Sequence, residues 1–268
     1  MLRLPAVAGS FYPSQAEKLD KLVRRFSAPE EGVARVRAKA CLTPHAGYVY
    51  SGAVAGAVFA RLELPRRFVI LGVRHRPRGE RAAILTSGAW RTPLGNAAVD
   101  EELGEKLSAA CPLLREDEIA HREEHSLEVQ IPFLQTLAPG FTFVPVALGS
   151  LRFEELEEIG AGLGKTLAEE RDVLLLTTSD LNHYEDEATT LKKDGRAIER
   201  LLAMDARGLF EACRDAEISM CGLGPAVAML TALRGLGAQR AELVRHATSA
   251  DVTGDKSTVV GYAGMIFS

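Results

Sequence analysis

What most constrains this chain is a set of short, nearly continuous apolar runs that recur between longer, helix-patterned stretches. Residues 68–73 read FVILGV, residues 142–148 TFVPVAL and residues 173–178 VLLLTT. A strand with one wet face alternates apolar and polar residues, whereas a strand covered on both faces is apolar almost throughout. Alternation of such strands with amphipathic segments is the pattern of an α/β sheet. Strands are expected over residues 37–43, 68–73, 82–86, 141–148, 173–178, 242–247 and 258–266. Helices are expected over residues 14–26, 51–62, 100–110, 127–137, 153–170, 188–213 and 224–236. Ser14 and Asp100 have N-cap character at the starts of two of them. No repeat, low-complexity tract or long linker divides the sequence. The expectation is one α/β domain over residues 1–268, with a mostly parallel central sheet covered by helices on both faces.

Bulk properties narrow the function classes. The length of 268 residues and 47% hydrophobic content suffice for a buried core. A net charge of −4, with both signs interspersed, argues against a non-specific grip on nucleic acid. No segment approaches the roughly 20 apolar residues that span a bilayer, and the opening residues lack the basic and apolar runs of a signal peptide. Neither a membrane nor a nucleic-acid partner is expected. Cys41, Cys111, Cys213 and Cys221 are widely spread without a Cys-x-x-Cys pair, so a reducing cytoplasm fits better than a disulfide framework.

The titratable residues fall in a pattern. His45 follows the strand expected at 37–43, His75 follows 68–73, and Asp180 and His183 follow 173–178. In open α/β sheets the carboxyl ends of the strands are where ligands bind. Neutral imidazole is a common metal ligand near neutral pH. Cys221 precedes a helix, whose backbone N–H groups would lower its pKa and favour the metal-binding thiolate. Taken singly, His45 and His75 read as ordinary loop histidines, Cys221 as a small buried apolar residue and Asp180 as a cap. Their coincidence at strand ends is what points to a dispersed metal site.

His121 and His125 also match H-x-x-E-H, the pattern in which two histidines one helical turn apart hold zinc in inverted zinc peptidases. The alternative is a solvated, charged helix start with Glu124 or His125 reaching toward the dispersed site. Residues 254–258 (GDKST) lack the G-x-x-x-x-G of a phosphate loop and read as a turn. Gly222 and Gly224 are too isolated for a dinucleotide fingerprint, and Ser126 and Ser179 have no glycine-flanked elbow for acyl transfer.

Together these motifs resemble those of the MEMO family, also called AmmeMemoRadiSam system protein B. The matching stretches are residues 5–13 (PAVAGSFYP), 44–48 (PHAGY) with 51–52, 124–128 (EHSLE), 179–180 with 183–184, 221–222 with 225, and 254–257 (GDKS). The resemblance implies a fold like that of class III extradiol (LigB-type) dioxygenases, which hold non-haem Fe(II) with two histidines and a carboxylate. It further implies that His45 and His75 are the imidazole ligands, with Cys221 in the carboxylate's place. His183 is then the acid/base histidine, and Asp180 a neighbouring ligand or an orienting partner. His125, Glu124, Tyr48 and Tyr184 are expected to line the pocket or support it from behind. The loop carrying His75 departs from the family's Gly-Pro-x-His, reading Gly72–Val73–Arg74–His75. A thiolate is softer than a carboxylate, so copper and zinc join iron (Fe²⁺) as candidate metals.

The function expected is therefore that of a metal-dependent redox protein, an oxidoreductase oxidising a small aromatic or phenolic substrate with O₂. The alternative is a peptide- or small-molecule-binding module reusing the same pocket, with Arg74, Arg76 and Arg78 at its mouth favouring an acidic or phosphorylated ligand. The zinc peptidase is the remote third. By resemblance, a functional link to AMMECR1-like and radical SAM proteins is also expected.

Overall fold

The apolar runs form the centre of one sheet. The computed structural model describes residues 1–268. Its strands are β1 (Leu2–Arg3), β2 (Ala40–Thr43), β3 (Arg67–Val73), β4 (Ala82–Ile84), β5 (Ala89–Thr92), β6 (Gly95–Val99), β7 (Arg115–Glu116), β8 (Thr142–Leu148), β9 (Val173–Thr178), β10 (His183–Glu185), β11 (Ala241–Thr248) and β12 (Val259–Phe267). Its helices are α1 (Ala16–Phe26), α2 (Tyr48–Arg61), α3 (Glu101–Ala110), α4 (Glu118–Arg122), α5 (His125–Glu128), α6 (Ile131–Leu137), α7 (Phe153–Glu169), α8 (Glu187–Leu202), α9 (Ala206–Asp215), α10 (Leu223–Leu236) and α11 (Ala250–Thr253).

The main strand order is β1-β5-β6-β8-β3-β9-β2-β12-β10, with β11 paired to β12, and β4 joining β8 to β7. The central pairs β8–β3, β3–β9 and β9–β2 are parallel, while β12 runs antiparallel to β2 and closes that side. Because β3, β9 and β2 are adjacent and parallel, their carboxyl ends lie side by side at one edge.

Alternation along β3 explains the two-sided core. Val69 and Leu71 pack into one apolar cluster with α7, α8, α9 and α10, and Phe68 and Ile70 pack into the other with α1, α2 and α6. Both side-chain faces are dry, which is why the run needs no polar positions.

Several boundaries differ from the sequence-based expectation. The helix expected at 188–213 is two helices, because the chain turns at Met204 with φ of 50° and restarts with Asp205 accepting from the Gly208 N–H. The helix expected at 127–137 is also two, α5 and α6, with Pro132 in the first turn of the second. Asp100 does cap α3, accepting from Leu103 N–H at 3.1 Å, but Ser14 does not cap α1, whose N-cap is Gln15 without a side-chain bond. The strands β1, β7 and β10 escaped the pattern because they are two or three residues long and take their partners from distant parts of the chain, and the hairpin β5–β6 because its strands are short and carry no continuous apolar run. No helix is long and apolar enough to cross a membrane.

Candidate metal centre

Each of the three central strands delivers a polar residue just past its last ladder position: His45 beyond β2, His75 beyond β3 and Asp180 beyond β9. Cys221 reaches the same edge from the turn before α10. The ligating atoms of His45, His75 and Cys221 all lie within 4.8 Å of one another. The His45 and His75 rings are 5.2 Å apart edge to face, and His45 Nε2 lies 3.1 Å from Cys221 Sγ. These residues border a cavity of about 620 Å³, whose walls include Phe11, Tyr50, His125, His183 and Tyr262.

The histidines are turned by hydrogen bonds at Nδ1. His75 Nδ1–H donates to Glu124 Oε1 at 2.9 Å, while the His75 backbone N–H donates to Glu124 Oε2 at 2.7 Å. Glu124 also accepts from Ser126 N–H at 2.8 Å, capping α5. Burial alone would raise this carboxyl, but the His75 hydrogen bond and the His75 and His125 charges hold it at about 2. An ionised carboxylate only accepts, so a proton sits on His75 Nδ1, and in the neutral, metal-binding ring the lone pair is on Nε2. His45 Nδ1 bonds Thr178 Oγ1 at 2.8 Å. Thr178 is held in turn by Gln130 Nε2 at 3.1 Å, and the same amide donates to Pro44 O at 2.9 Å. His183 Nδ1–H donates to the Ser219 carbonyl at 2.9 Å, which again leaves Nε2 as the acceptor. Carboxylate or carbonyl partners at Nδ1 are how proteins fix a metal-binding or basic imidazole.

The electrostatics follow from burial. His45 is held well below its usual pKa by burial and then by His125 and His75, so it is neutral. Burial likewise pushes His125 down to about 4, against the pull of Glu124. Asp180 rises to about 6, again through burial, although its Oδ1 accepts from His45 N–H at 2.8 Å. Cys221 departs from expectation. Burial, with the Asp180 charge added, pushes its thiol up, outweighing the Asp180 and Gly222 N–H groups. A bound cation reverses that balance, because a coordinating thiol deprotonates.

Two glycines permit the close approaches. A Cβ on Gly72 would lie 2.5 Å from Leu127 Cγ, so only glycine lets α5 bring Glu124 against β3. A Cβ on Gly222 would lie 2.4 Å from Ser179 Cβ, so glycine also lets Cys221 reach Asp180. Its sulfur accepts from the Asp180 N–H at 3.3 Å.

Of the residues expected from the sequence, the structure draws His45, His75, Cys221, Asp180, His183, His125 and Tyr184 to this one cavity, with Glu124 directly behind His75. Tyr48 is a correction. It faces the core, donating to Val129 O at 2.6 Å and packing on Tyr12 and Phe133, and Tyr50 lines the cavity in its place. The H-x-x-E-H reading is corrected too. His121 lies in the last turn of α4 and His125 begins α5, so the two are not one turn apart on a helix. His121 and Glu124 are also buried, which corrects the solvated helix start. Arg74 turns inward along its own loop, bonding Arg78 O and Gly79 O, and Arg76 and Arg78 both pair with Glu123. Thr178, Gln130 and Ser219 orient the histidines and went unread. Thr178 ends an apolar strand and so carried a local signal, whereas Gln130 and Ser219 carried none.

A family profile described as Memo-like protein matches residues 3–266. A MEMO1 family protein of Methanopyrus kandleri is 39% identical over 280 residues, covering 100% of this chain and 99% of its own. One from Aquifex aeolicus is 40% identical over 269 residues, covering 99% of each. One from Methanocaldococcus jannaschii is 40% identical over 286 residues, covering 99% of this chain and 98% of its own. Among solved structures, the crystal structure of an uncharacterized protein from Escherichia coli K12 is similar in fold. Its TM-score is 0.57 at 13% identity, with 86% of this chain and 100% of that chain covered.

Proposed function

The chain belongs to the Memo-like family, and from that premise we propose that it is a metal-dependent redox protein whose ion is held by His45, His75 and Cys221. Iron is the metal proposed, with copper and zinc as competitors for a site containing a thiolate. The observation that carries this reading is the convergence of three ligand atoms, from three separate parts of the chain, within 4.8 Å. The donor set fits such an ion. His75 offers an Nε2 lone pair fixed by Glu124, His45 turns Nε2 toward Cys221, and the sulfur lies at the junction.

A bound redox metal would supply electron exchange with O₂ and Lewis acidity toward a phenolic oxygen. This chain's own residues do the rest. His183, with Nδ1–H tied to the Ser219 carbonyl, takes the substrate hydroxyl proton at Nε2. Asp180, on the same wall, compensates the imidazolium that forms. Phe11, Tyr50, Tyr184 and Tyr262 surround the space with aromatic surface suited to a flat ring. These features support a small aromatic or phenolic substrate.

Protein purified without oxygen and assayed for iron, copper and zinc should carry about one metal per chain. His45→Ala and Cys221→Ser should each lose it, and the metal-loaded wild type should consume O₂ with catechols. Absence of bound metal under every loading condition would rule the reading out. One observation favours a second reading, a binding module for an acidic ligand. Arg76 and Arg78 share the single carboxylate of Glu123, which leaves excess positive charge beside His75. Peptide binding unaffected by His45→Ala and Cys221→Ser would select it.

A further inference from the structure

The His183 ring is oriented by a carbonyl that no strand or helix fixes. Ser219, which supplies it, lies in the irregular turn between α9 and α10, two residues before Cys221. Whatever holds this turn therefore decides which nitrogen of His183 keeps its lone pair.

Asn182 holds it. The residue immediately precedes His183 and is fully buried. Its Oδ1 accepts from Ser219 N–H at 3.2 Å and from Ser219 Oγ–H at 3.1 Å. Its Nδ2 donates to Glu185 Oε2 at 2.7 Å and to Thr190 Oγ1 at 3.3 Å. A backbone N–H only donates and a carboxylate only accepts, so these partners fix the amide in one orientation. The Asn182 backbone is committed as well. Its N–H donates to Asp194 Oδ1 at 3.0 Å and its carbonyl accepts from Gly261 N–H at 2.9 Å. Lys193 Nζ completes the clamp, donating to Glu185 Oε1 at 2.9 Å and to the Glu217 carbonyl at 3.0 Å.

The Ser219 hydroxyl in turn accepts from His183 N–H at 2.8 Å, so Ser219 grips both the backbone and the ring of His183. We infer that Asn182 is a positioning residue for His183: its side-chain oxygen sets Ser219, and Ser219 keeps the His183 proton on Nδ1 and the lone pair on Nε2. Asn182 is not among the residues lining the cavity and touches no reacting atom. Its role rests on the reading of His183 as the acid/base, because only a lone pair at Nε2 can take the substrate proton. An amide suits the task, offering two acceptor lone pairs to Ser219 and two donors to Glu185 and Thr190.

Nitrogen NMR of the full chain, stripped of metal with a chelator, reads the tautomer directly. At alkaline pH, where an ordinary imidazole is neutral, wild-type His183 should show a protonated Nδ1 and an unprotonated Nε2. The ring is assigned by its absence from His183→Gln. In Asn182→Ala the two nitrogen shifts should move toward each other as the Nε2–H form becomes populated. His75, whose Nδ1–H is fixed by Glu124 instead, should keep its shifts. Should Asn182→Ala fail to fold, Ser219→Ala, at an exposed position, removes one of the two bonds to Asn182 and should move His183 in the same direction. The inference is overturned if wild-type His183 carries its proton on Nε2, or if its shifts stay unchanged in the folded variant. It is equally overturned if His75 moves too, which would mean a general loosening. Absence of bound metal in the wild type would sink the redox reading alone, since these shifts are read without metal.

Discussion

At the scale of single residues, the cavity is an arrangement of histidines, three of which (His45, His75 and His183) have Nδ1 hydrogen-bonded behind them. Glu124 is the most consequential of the supporting partners because it fixes both the backbone and the ring of His75. Glu124→Gln keeps the shape and an acceptor oxygen but removes the charge that stabilises the Nδ1–H tautomer. Metal affinity should fall roughly 10–100-fold, the usual effect of removing such a supporting group. Competition with a chelator measures it, and circular dichroism checks that the fold is kept. An unaltered affinity would mean that the carboxylate does not support the ligand. His45, His75 and Cys221 were legible only as a set, through the coincidence that each follows an apolar strand or precedes a helix. The state of the Cys221 thiol was not legible, since it depends on Asp180 and on burial, neither of which is a local property.

At the scale of elements, the sheet's carboxyl edge positions the site, and a capping interaction ties together the opposite, amino edge. Asp100 joins the start of α3 to β3 and β8, accepting from Leu103 N–H, from Arg67 Nε at 2.7 Å and from Thr142 Oγ1 at 2.9 Å. Burial would raise this carboxyl, but the Arg67 bond and the other donors bring it below its ordinary value. A depressed folded pKa contributes stability that is complete above the unfolded value of about 3.9 and is lost as pH falls through the folded one. Arg67→Leu should therefore cost roughly 1.5–3 kcal/mol at neutral pH. Urea midpoints should show that cost shrinking as the pH drops below about 4, while a constant cost would mean that the carboxylate is not its source. The long apolar strands were readable because burial on both faces writes itself into six or seven consecutive residues. The break at Met204 was not, because no glycine or proline marks the left-handed residue that turns the chain.

At the scale of the whole molecule, the N-terminal segment ties one end of the sheet to the loop that carries Glu124 and His125. Arg3 is buried against Glu128, with Nη1 to Oε2 at 2.6 Å, and Glu128 also accepts from Tyr12 Oη at 2.6 Å and from two backbone N–H groups. Removing one partner of a buried pair strands the other charge and costs about 3–5 kcal/mol. Arg3→Leu should lower the unfolding free energy by about that amount, read from chemical denaturation. Arg3→Lys should recover little of it, since one ammonium cannot span two carbonyls and a carboxylate as the guanidinium fork does. Near-complete recovery in the lysine variant would reduce the role of Arg3 to its charge.

The sequence by itself determined the fold class and most of the central strands, because hydrophobic periodicity is a local record of which faces are dry. It also carried the family motifs, and with them the residues around the cavity. Only the tertiary structure decided the orientation and protonation of those residues. It separated His121 from His125, turned Tyr48 into the core and put Glu124 behind His75. Hydrogen-bond partners, burial and tautomers are set by atoms that meet across dozens to more than a hundred residues of chain, as Gln130 and Thr178, and Thr178 and His45, do. No local pattern encodes such a meeting.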